Sequence, residues 1–302
     1  MENLLRLLPP ELKSLIRRLP LEMQKKLTEI RLRVERPIIV RQGRENFCLG
    51  EAGEIAACLT NPQIWSREAM NRTLQLISKS SLYALEEELK NGYITVPGGH
   101  RIGLCGRVVL EKGQIKGLKY ISGLNLRLAR QIRGAAGNLP ELWQGRHCPN
   151  VLIFSPPSCG KTTVLRDLIR SLSERGYTLG VVDERSEIAA CYQGVPAMEM
   201  GMNTDVLDAC PKALGMLLLL RSLSPQIIAT DEVGMPEDVV ALAEVVNAGV
   251  GIIFTVQAAS REDLYRRPVL AELLKMKVID YSVRLDQKPQ VGTIAEIWPE
   301  KL

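Results

Sequence analysis

Ser155-Pro156-Pro157-Ser158-Cys159-Gly160-Lys161-Thr162-Thr163 follows a short apolar run at residues 150–154 and opens an amphipathic stretch over residues 161–174. A buried strand, a loop of small residues and a helix N-terminus, in that order, make a phosphate-binding loop. Gly160 lets the backbone wrap close to an anion, and successive N–H groups at a helix start form a nest for it. Lys161 is placed to reach the β- and γ-phosphates, and the Thr162 hydroxyl to ligate Mg²⁺. All nine residues are therefore candidate nucleotide ligands, with ATP and Mg²⁺ as the expected substrate and cofactor. The first position carries Ser155 where the motif has Gly. Ser is small, and the phosphate contacts lie mostly downstream of it.

Three further signals end apolar runs. Gln226-Ile227-Ile228-Ala229-Thr230-Asp231-Glu232 closes on adjacent acids. Asp231 is read as the Mg²⁺ ligand and Glu232 as the group that polarises the attacking water, because phosphoryl transfer is catalysed mainly by positioning and charge neutralisation. An acid pair after a strand indicates an ATPase with an extra catalytic strand rather than a kinase. Val182-Asp183-Glu184-Arg185-Ser186-Glu187 places Asp183 at another strand end, facing the same sheet edge. The candidate roles are an outer contact to Mg²⁺ from Asp183 and water positioning by Glu187; a charged surface loop is the alternative. Phe254-Thr255-Val256-Gln257 offers Gln257 as a γ-phosphate sensor, with a capping residue as the plain alternative.

Apolar runs at 150–154, 179–182, 227–230 and 251–256 alternate with helical stretches at 161–174, 211–220 and 236–248. Strands separated by helices indicate a mainly parallel sheet covered on both faces. The expected fold is thus α/β: a C-terminal RecA-like domain of the P-loop class over residues 136–302, preceded by a smaller α+β domain over 1–135. The small, turn-rich segment 134–140 is the expected linker.

The first domain opens with Pro10, then Leu12, Leu15, Ile16 and Leu19 at helical spacing. This basic amphipathic stretch either packs on the core or lies on an anionic membrane, and the former is the ordinary case. Further helices are expected at 66–77 and 82–89. Strands are expected at 93–96, 101–110, 114–118 and 124–128, with Glu111-Lys112-Gly113 as a hairpin turn. Arg101 and Arg107 lie an even number of positions apart, so both side chains point to one face of the sheet, with plain solubilising charge as the alternative. Arg127 and Arg130 sit near the end of another strand. His100 and His147 read as surface or turn residues.

Composition narrows the field. The chain has 302 residues, 46% hydrophobic and 24% charged, which excludes disorder and collagen-like repeats. Its seven cysteines form no CxxC pair, so neither a disulfide framework nor a zinc knuckle is expected. Apolar runs such as 216–220 are too short to cross a bilayer, and a cytoplasmic location follows as an expectation. The net charge of +5 hides an asymmetry: residues 1–149 carry 24 Lys and Arg against 14 Glu and no Asp, leaving 15 basic against 20 acidic residues beyond. Such a basic half raises nucleic acid as a partner. Its aromatics, Phe47, Trp65, Tyr83, Tyr93, Tyr120 and Trp143, are too scattered for a base-stacking platform.

Gly99-His100-Arg101-Ile102-Gly103-Leu104-Cys105-Gly106-Arg107, Asn125-Leu126-Arg127-Leu128-Ala129-Arg130, the phosphate loop and Asp183-Glu184-Arg185-Ser186-Glu187-Ile188 together resemble the stage III sporulation protein AA family over nearly the full length. That family resembles the type II and type IV secretion ATPases, hexameric RecA-like motors. The resemblance implies an ATP-hydrolysing motor at the mother-cell face of a channel joining mother cell and forespore. It would be peripheral at the inner membrane, docked on a membrane-protein partner. It further implies that Asp183, Glu184 and Glu187 form the aspartate box, that Leu220-Arg221 and Pro225 lead into Asp231-Glu232, and that Arg101, Arg107 and Arg127 are the N-domain arginines that approach nucleotide. Gln257 falls where the related motors usually have His. With Ser155, it motivates a competing reading as a nucleotide-gated assembly protein of little turnover. The four-cysteine zinc element of some type II motors is absent.

Overall fold

The structure, a computed structural model, describes residues 2–43, 45–78, 92–145 and 147–300. The helix expected at 82–89 lies outside them. Two compact units divide the chain, Met1–Arg130 and Gln131–Leu302. The turn-rich segment read as the linker is tied to the second unit. Gln131 Nε2 donates to the Glu199 carbonyl, Arg133 pairs with the Glu199 carboxylate, and the Ala136 N–H donates to Asp167 Oδ2.

The first unit begins with α1 (Glu2–Leu5), α2 (Pro10–Arg18) and α3 (Leu21–Lys26). Leu12, Leu15 and Ile16 of α2 are buried, so this amphipathic helix belongs to the core. Strands β1 (Leu27–Arg33), β3 (Ile39–Gln42), β4 (Glu45–Leu49), β5 (Ile55–Ala56), β7 (Tyr93–Val96), β8 (His100–Glu111) and β9 (Gln114–Arg127) form a seven-stranded sheet ordered β5-β4-β3-β1-β9-β8-β7. Every neighbouring pair in it is antiparallel. The short β2 (Arg36–Pro37) and β6 (Ile64–Trp65) pair beside it, and α4 (Arg67–Ser78) follows. Antiparallel sheets bury one face and wet the other. Ile30, Leu32, Ile102, Leu124 and Leu126 accordingly join the core, while the arginines alternate with them.

Two expectations change here. The strands expected at 114–118 and 124–128 are one strand, β9, which passes through an irregularity opposite Cys105 to Arg107. Tyr120 takes φ 50° there. The extra residues lie in β9, which advances four positions from Gly123 to Lys119 while β8 advances two from Cys105 to Arg107, so the alternation along β8 from Arg101 to Arg107 is not interrupted. His100 is 3% exposed rather than a surface residue, and its Nδ1 accepts the Ala129 N–H at 3.0 Å. Burial pushes its pKa down to about 4, so the ring is neutral and joins the start of β8 to the end of β9.

The second unit holds the parallel sheet. Its strands are β10 (Val151–Ser155), β11 (Leu179–Asp183), β12 (Thr204–Asp208), β13 (Ile227–Thr230), β14 (Gly251–Gln257), β15 (Tyr281–Asp286) and β16 (Thr293–Pro299). The order is β12-β11-β13-β14-β10-β15-β16, parallel throughout except for the β15–β16 pair. β10, β11 and β13 are buried along their whole lengths, as strands covered on both faces must be. Helices α5 (Lys161–Glu174), α6 (Lys212–Ser222), α7 (Pro236–Asn247), α8 (Arg261–Arg266) and α9 (Pro268–Lys275) connect them. The strand expected to separate the phosphate loop from the acid pair is present: β14 lies between β10 and β13. Three strands without an apolar signature, β12, β15 and β16, extend the sheet at its two edges.

Candidate functional site

Parallel strands carry their C-terminal ends to one edge, where open α/β sheets bind ligands. The chain delivers the sequence signals there. β10 ends in Ser155, β11 in Asp183 and β14 in Gln257, while Asp231 follows β13 directly. Ser155 and Gln257 are register partners, as are Val182 and Thr230. The phosphate loop is therefore flanked by Gln257, with Asp231 two strands away and Asp183 on the strand beyond it.

Within the loop, Ser155 is a strand residue without positive φ. The left-handed positions are Ser158 at φ 60° and Gly160 at φ 84°. The Ser155 hydroxyl donates to the Pro156 carbonyl at 3.0 Å. A Cβ at Gly160 would come within 3.0 Å of Val291 Cγ1 and 3.1 Å of the Gly292 nitrogen. Gly160 is thus required by conformation and by space, whereas a Gly at 155 is not. Lys161 is buried, and its Nζ donates to the carbonyls of Ser155 and Pro156 at 3.2 and 3.3 Å. Burial pulls the Lys161 pKa down, and the charges of Glu232, Cys159 and Asp231 work against that.

The acids are held by different means. Asp183 is fully buried, and its two oxygens accept the N–H groups of Glu187 and Ala189, each at 2.8 Å. It thereby shapes the loop that carries Glu187. Burial raises its pKa despite those bonds. Asp231 is 3% exposed, and burial together with the charges of Asp183, Glu187 and Glu232 pushes its pKa up to about 7; Lys212 opposes the rise. Glu232 takes φ 45°, its N–H donates to Thr255 Oγ1 at 2.9 Å, and its carboxylate pairs with Arg185 at 3.0 Å. Glu184 is paired with Lys212. Gln257 is exposed at the end of β14.

Several of these supporting residues carry no motif. Arg166, on α5 one turn past the phosphate loop, is 8% exposed. Its guanidinium donates to the backbone carbonyls of Glu187 and Ile188, and burial lowers its pKa against the charges of Asp183, Glu187 and Asp231. Thr255 and Lys212 also act here. A buried threonine one strand away from the acids offers one signal that sequence reading passed over.

Arg101 and Arg127 are direct cross-strand partners in the first unit's sheet, and Glu29 continues the row. The Arg101 guanidinium lies 4.0 Å from the Tyr93 ring centroid. Burial would raise the Glu29 pKa, but hydrogen bonds from Arg31, Asn125 and Arg41 outweigh it and hold the carboxyl below its usual range. Arg107 is exposed, opposite Lys119 beyond the irregularity. Arg130 donates to the Lys25 and Gln24 carbonyls, which anchors the end of this unit.

No ready-made metal cluster of three or more His, Cys, Asp or Glu occurs among the described residues. Mg²⁺ does not demand one, since it is usually held by one or two carboxylates plus phosphates and water. The donor set fits such an ion. Asp231 is a buried carboxylate made uneasy by three acidic neighbours, and Thr162 follows the Lys161 that begins α5. Among the described residues no helix is long and apolar enough to cross a membrane.

A phosphate-type loop and an acid pair on strands parted by a third, in a mainly parallel sheet with helices between its strands, define a RecA-like P-loop fold. The Legionella pneumophila ATPase DotB superposes with a TM-score of 0.56 at 16% identity, covering 85% of this chain and 72% of its own. The pilus retraction motor PilT, solved with bound ADP, gives 0.59 at 15% identity, covering 91% and 79%. The chain belongs to the family described as sporulation stage III, protein AA, whose model matches residues 1–302. It is 40% identical over 306 residues to stage III sporulation protein AA of Bacillus subtilis strain 168, covering 99% of this chain and 95% of that one.

Proposed function

We propose that this chain is a Mg²⁺-dependent, ATP-hydrolysing motor of the secretion-ATPase type that energises a sporulation channel between mother cell and forespore. The observation that carries the reading is the meeting of Lys161, Asp231 and Glu232 at one sheet edge, with β14 between their strands. The loop amides and Lys161 bind the phosphates, Lys161 exchanging its two carbonyl partners for phosphate oxygens. Thr162 and Asp231 hold Mg²⁺, which neutralises phosphate charge. Asp183 keeps Glu187 at the edge, Glu232 takes the proton of the attacking water, and Gln257 contacts the γ-phosphate. Arg101, Arg107 and Arg127 supply positive charge toward the nucleotide in the assembled ring.

Kinship with secretion-type motors supports a homo-hexamer that works with a membrane-protein partner, cytoplasmic and peripheral at the inner membrane on the mother-cell side. The test is phosphate release by the purified chain over many turnovers, set against Glu232→Gln. The variant is expected to bind ATP and lose release. Unchanged turnover in it overturns the assignment, and absent turnover in the parent with intact ATP binding favours a nucleotide-gated assembly protein.

A further inference from the structure

β8 and β9 are the longest strands among the described residues, 12 and 14 residues, and the sheet uses only part of them. β7 pairs with β8 at residues 100–103, and β1 pairs with β9 at residues 123–127. From Arg107 to Glu111 and from Gln114 to Lys119 the two strands pair only with each other. Lys112 at φ 51° and Gly113 at φ 79° close the turn. The result is a two-stranded arm reaching about 20 Å from the sheet at the usual rise per residue. An isolated ribbon of two strands is marginal in water.

The arm is also two-faced. Val108 lies opposite Leu118 and Leu110 opposite Ile115, which makes a continuous aliphatic face. Val108, Leu110 and Ile115 are 47%, 63% and 49% exposed. The opposite face carries Arg107, Glu111 and Lys119 around the half-buried Val109, with Lys112 at the tip and Lys116 paired to Glu111. Apart from Arg107, assigned above to the nucleotide, three lysines thus stand against one acid. Tyr120, 74% exposed at the base, is an aromatic with a polar tip. In an amphipathic element, a basic face backed by an aliphatic one lies flat in a lipid interface, the apolar side sunk about 5–10 Å.

We infer that the β8–β9 arm docks on an anionic phospholipid surface, its Val108–Leu118 and Leu110–Ile115 pairs entering the acyl boundary and its lysines meeting the headgroups. This does not depend on the chain being an ATPase. An acidic groove on a protein would match the charge too, but the aliphatic side chains stand clear on a narrow ribbon rather than around a single protruding anchor.

The test is co-sedimentation of the full chain with phosphatidylglycerol–phosphatidylcholine vesicles and with phosphatidylcholine alone. Binding is expected only to the former and should weaken with salt. Lys112→Gln with Lys119→Gln, both on the exposed arm, should weaken it roughly 25-fold, at about fivefold per lysine. Leu110→Ser with Ile115→Ser should abolish it. Tyr120→Trp should give blue-shifted emission on binding. No vesicle binding, equal binding to both vesicle types, or full binding by the two lysine substitutions overturns the proposal. The lysine variant is decisive even where the serine variant loses the hairpin.

Discussion

Arg185, on the loop after β11, forms an ion pair at 3.0 Å with Glu232, just past β13. The two side chains are 60% and 40% exposed, so the pair steers the carboxylate more than it stabilises the fold. What fixes the Glu232 turn is the backbone: its N–H reaches Thr255 Oγ1, and the Val233 N–H reaches the Thr255 carbonyl. The proposed base is therefore set by one buried neighbour and aimed by one exposed neighbour.

Stability should separate those two roles. Arg185→Ala is expected to change the free energy of unfolding by at most about 1 kcal/mol. Thr255→Val leaves the Glu232 N–H without its acceptor and should cost about 1–3 kcal/mol. Urea unfolding of both variants checks this. In phosphate-release assays Glu232→Gln should lower turnover by about 10²–10⁴-fold while ATP binding persists.

Arg166 should prove the costliest of the residues that no motif marks. Its truncation to Ala leaves the Glu187 and Ile188 carbonyls without their charged donor in a buried place. About 2–3 kcal/mol of stability should be lost, against little for exposed Arg185. A loss below about 1 kcal/mol in urea unfolding would show that Arg166 does not clamp this loop.

The parts of the site legible in the sequence are those where one residue type is chemically demanded. Gly160 and Lys161, and Asp231 and Glu232 after an apolar run, could be placed before the fold was known. Periodicity reached β10, β11, β13 and β14 because a strand buried on both faces must be apolar throughout. It missed β12, whose Asp205 and Asp208 interrupt the apolar run, and the half-exposed β16. It also split β9, because an irregularity reads as a loop. Arg166 looks like any basic helix residue until the fold lays Glu187 against it. Neither histidine carried a signal, yet burial turned His100 into a structural acceptor.

The serine at the head of the phosphate loop should be nearly silent. Ser155 has no positive φ, so Ser155→Gly gains no conformational freedom the loop needs. It should cost about 0.5–1 kcal/mol in a strand and leave ATP affinity within a few-fold. Gly160→Ala meets both obstacles, a left-handed φ and a backbone nitrogen 3.1 Å from the new Cβ. The conformational penalty alone is about 1–2 kcal/mol, and the distorted loop should lose most nucleotide affinity. Equilibrium binding of a fluorescent ATP analogue to the two variants decides it; a strong effect of Ser155→Gly would contradict the loop geometry.

Asp231 should make the stability of the protein sensitive to pH near neutrality. Its folded pKa, raised to about 7 from an ordinary 3.8, means that the folded state holds this proton more tightly than the unfolded chain. Linkage then gives the sign: the contribution is fully present below pH 3.8 and is lost as pH rises through 7. A tenfold difference in proton affinity between the two states is worth about 1.4 kcal/mol, so the swing amounts to a few kcal/mol. Asp231→Asn cannot ionise and should flatten the stability profile between those limits, leaving the variant more stable than the parent at about pH 8. A Mg²⁺ ligand must be ionised, so Mg²⁺-dependent nucleotide binding should strengthen as pH rises through 7, opposite in direction to the metal-free stability. Unfolding midpoints measured across roughly pH 4–8 with and without Mg-ATP, for parent and variant, test both trends. Parallel profiles for the two proteins would remove Asp231 as their source.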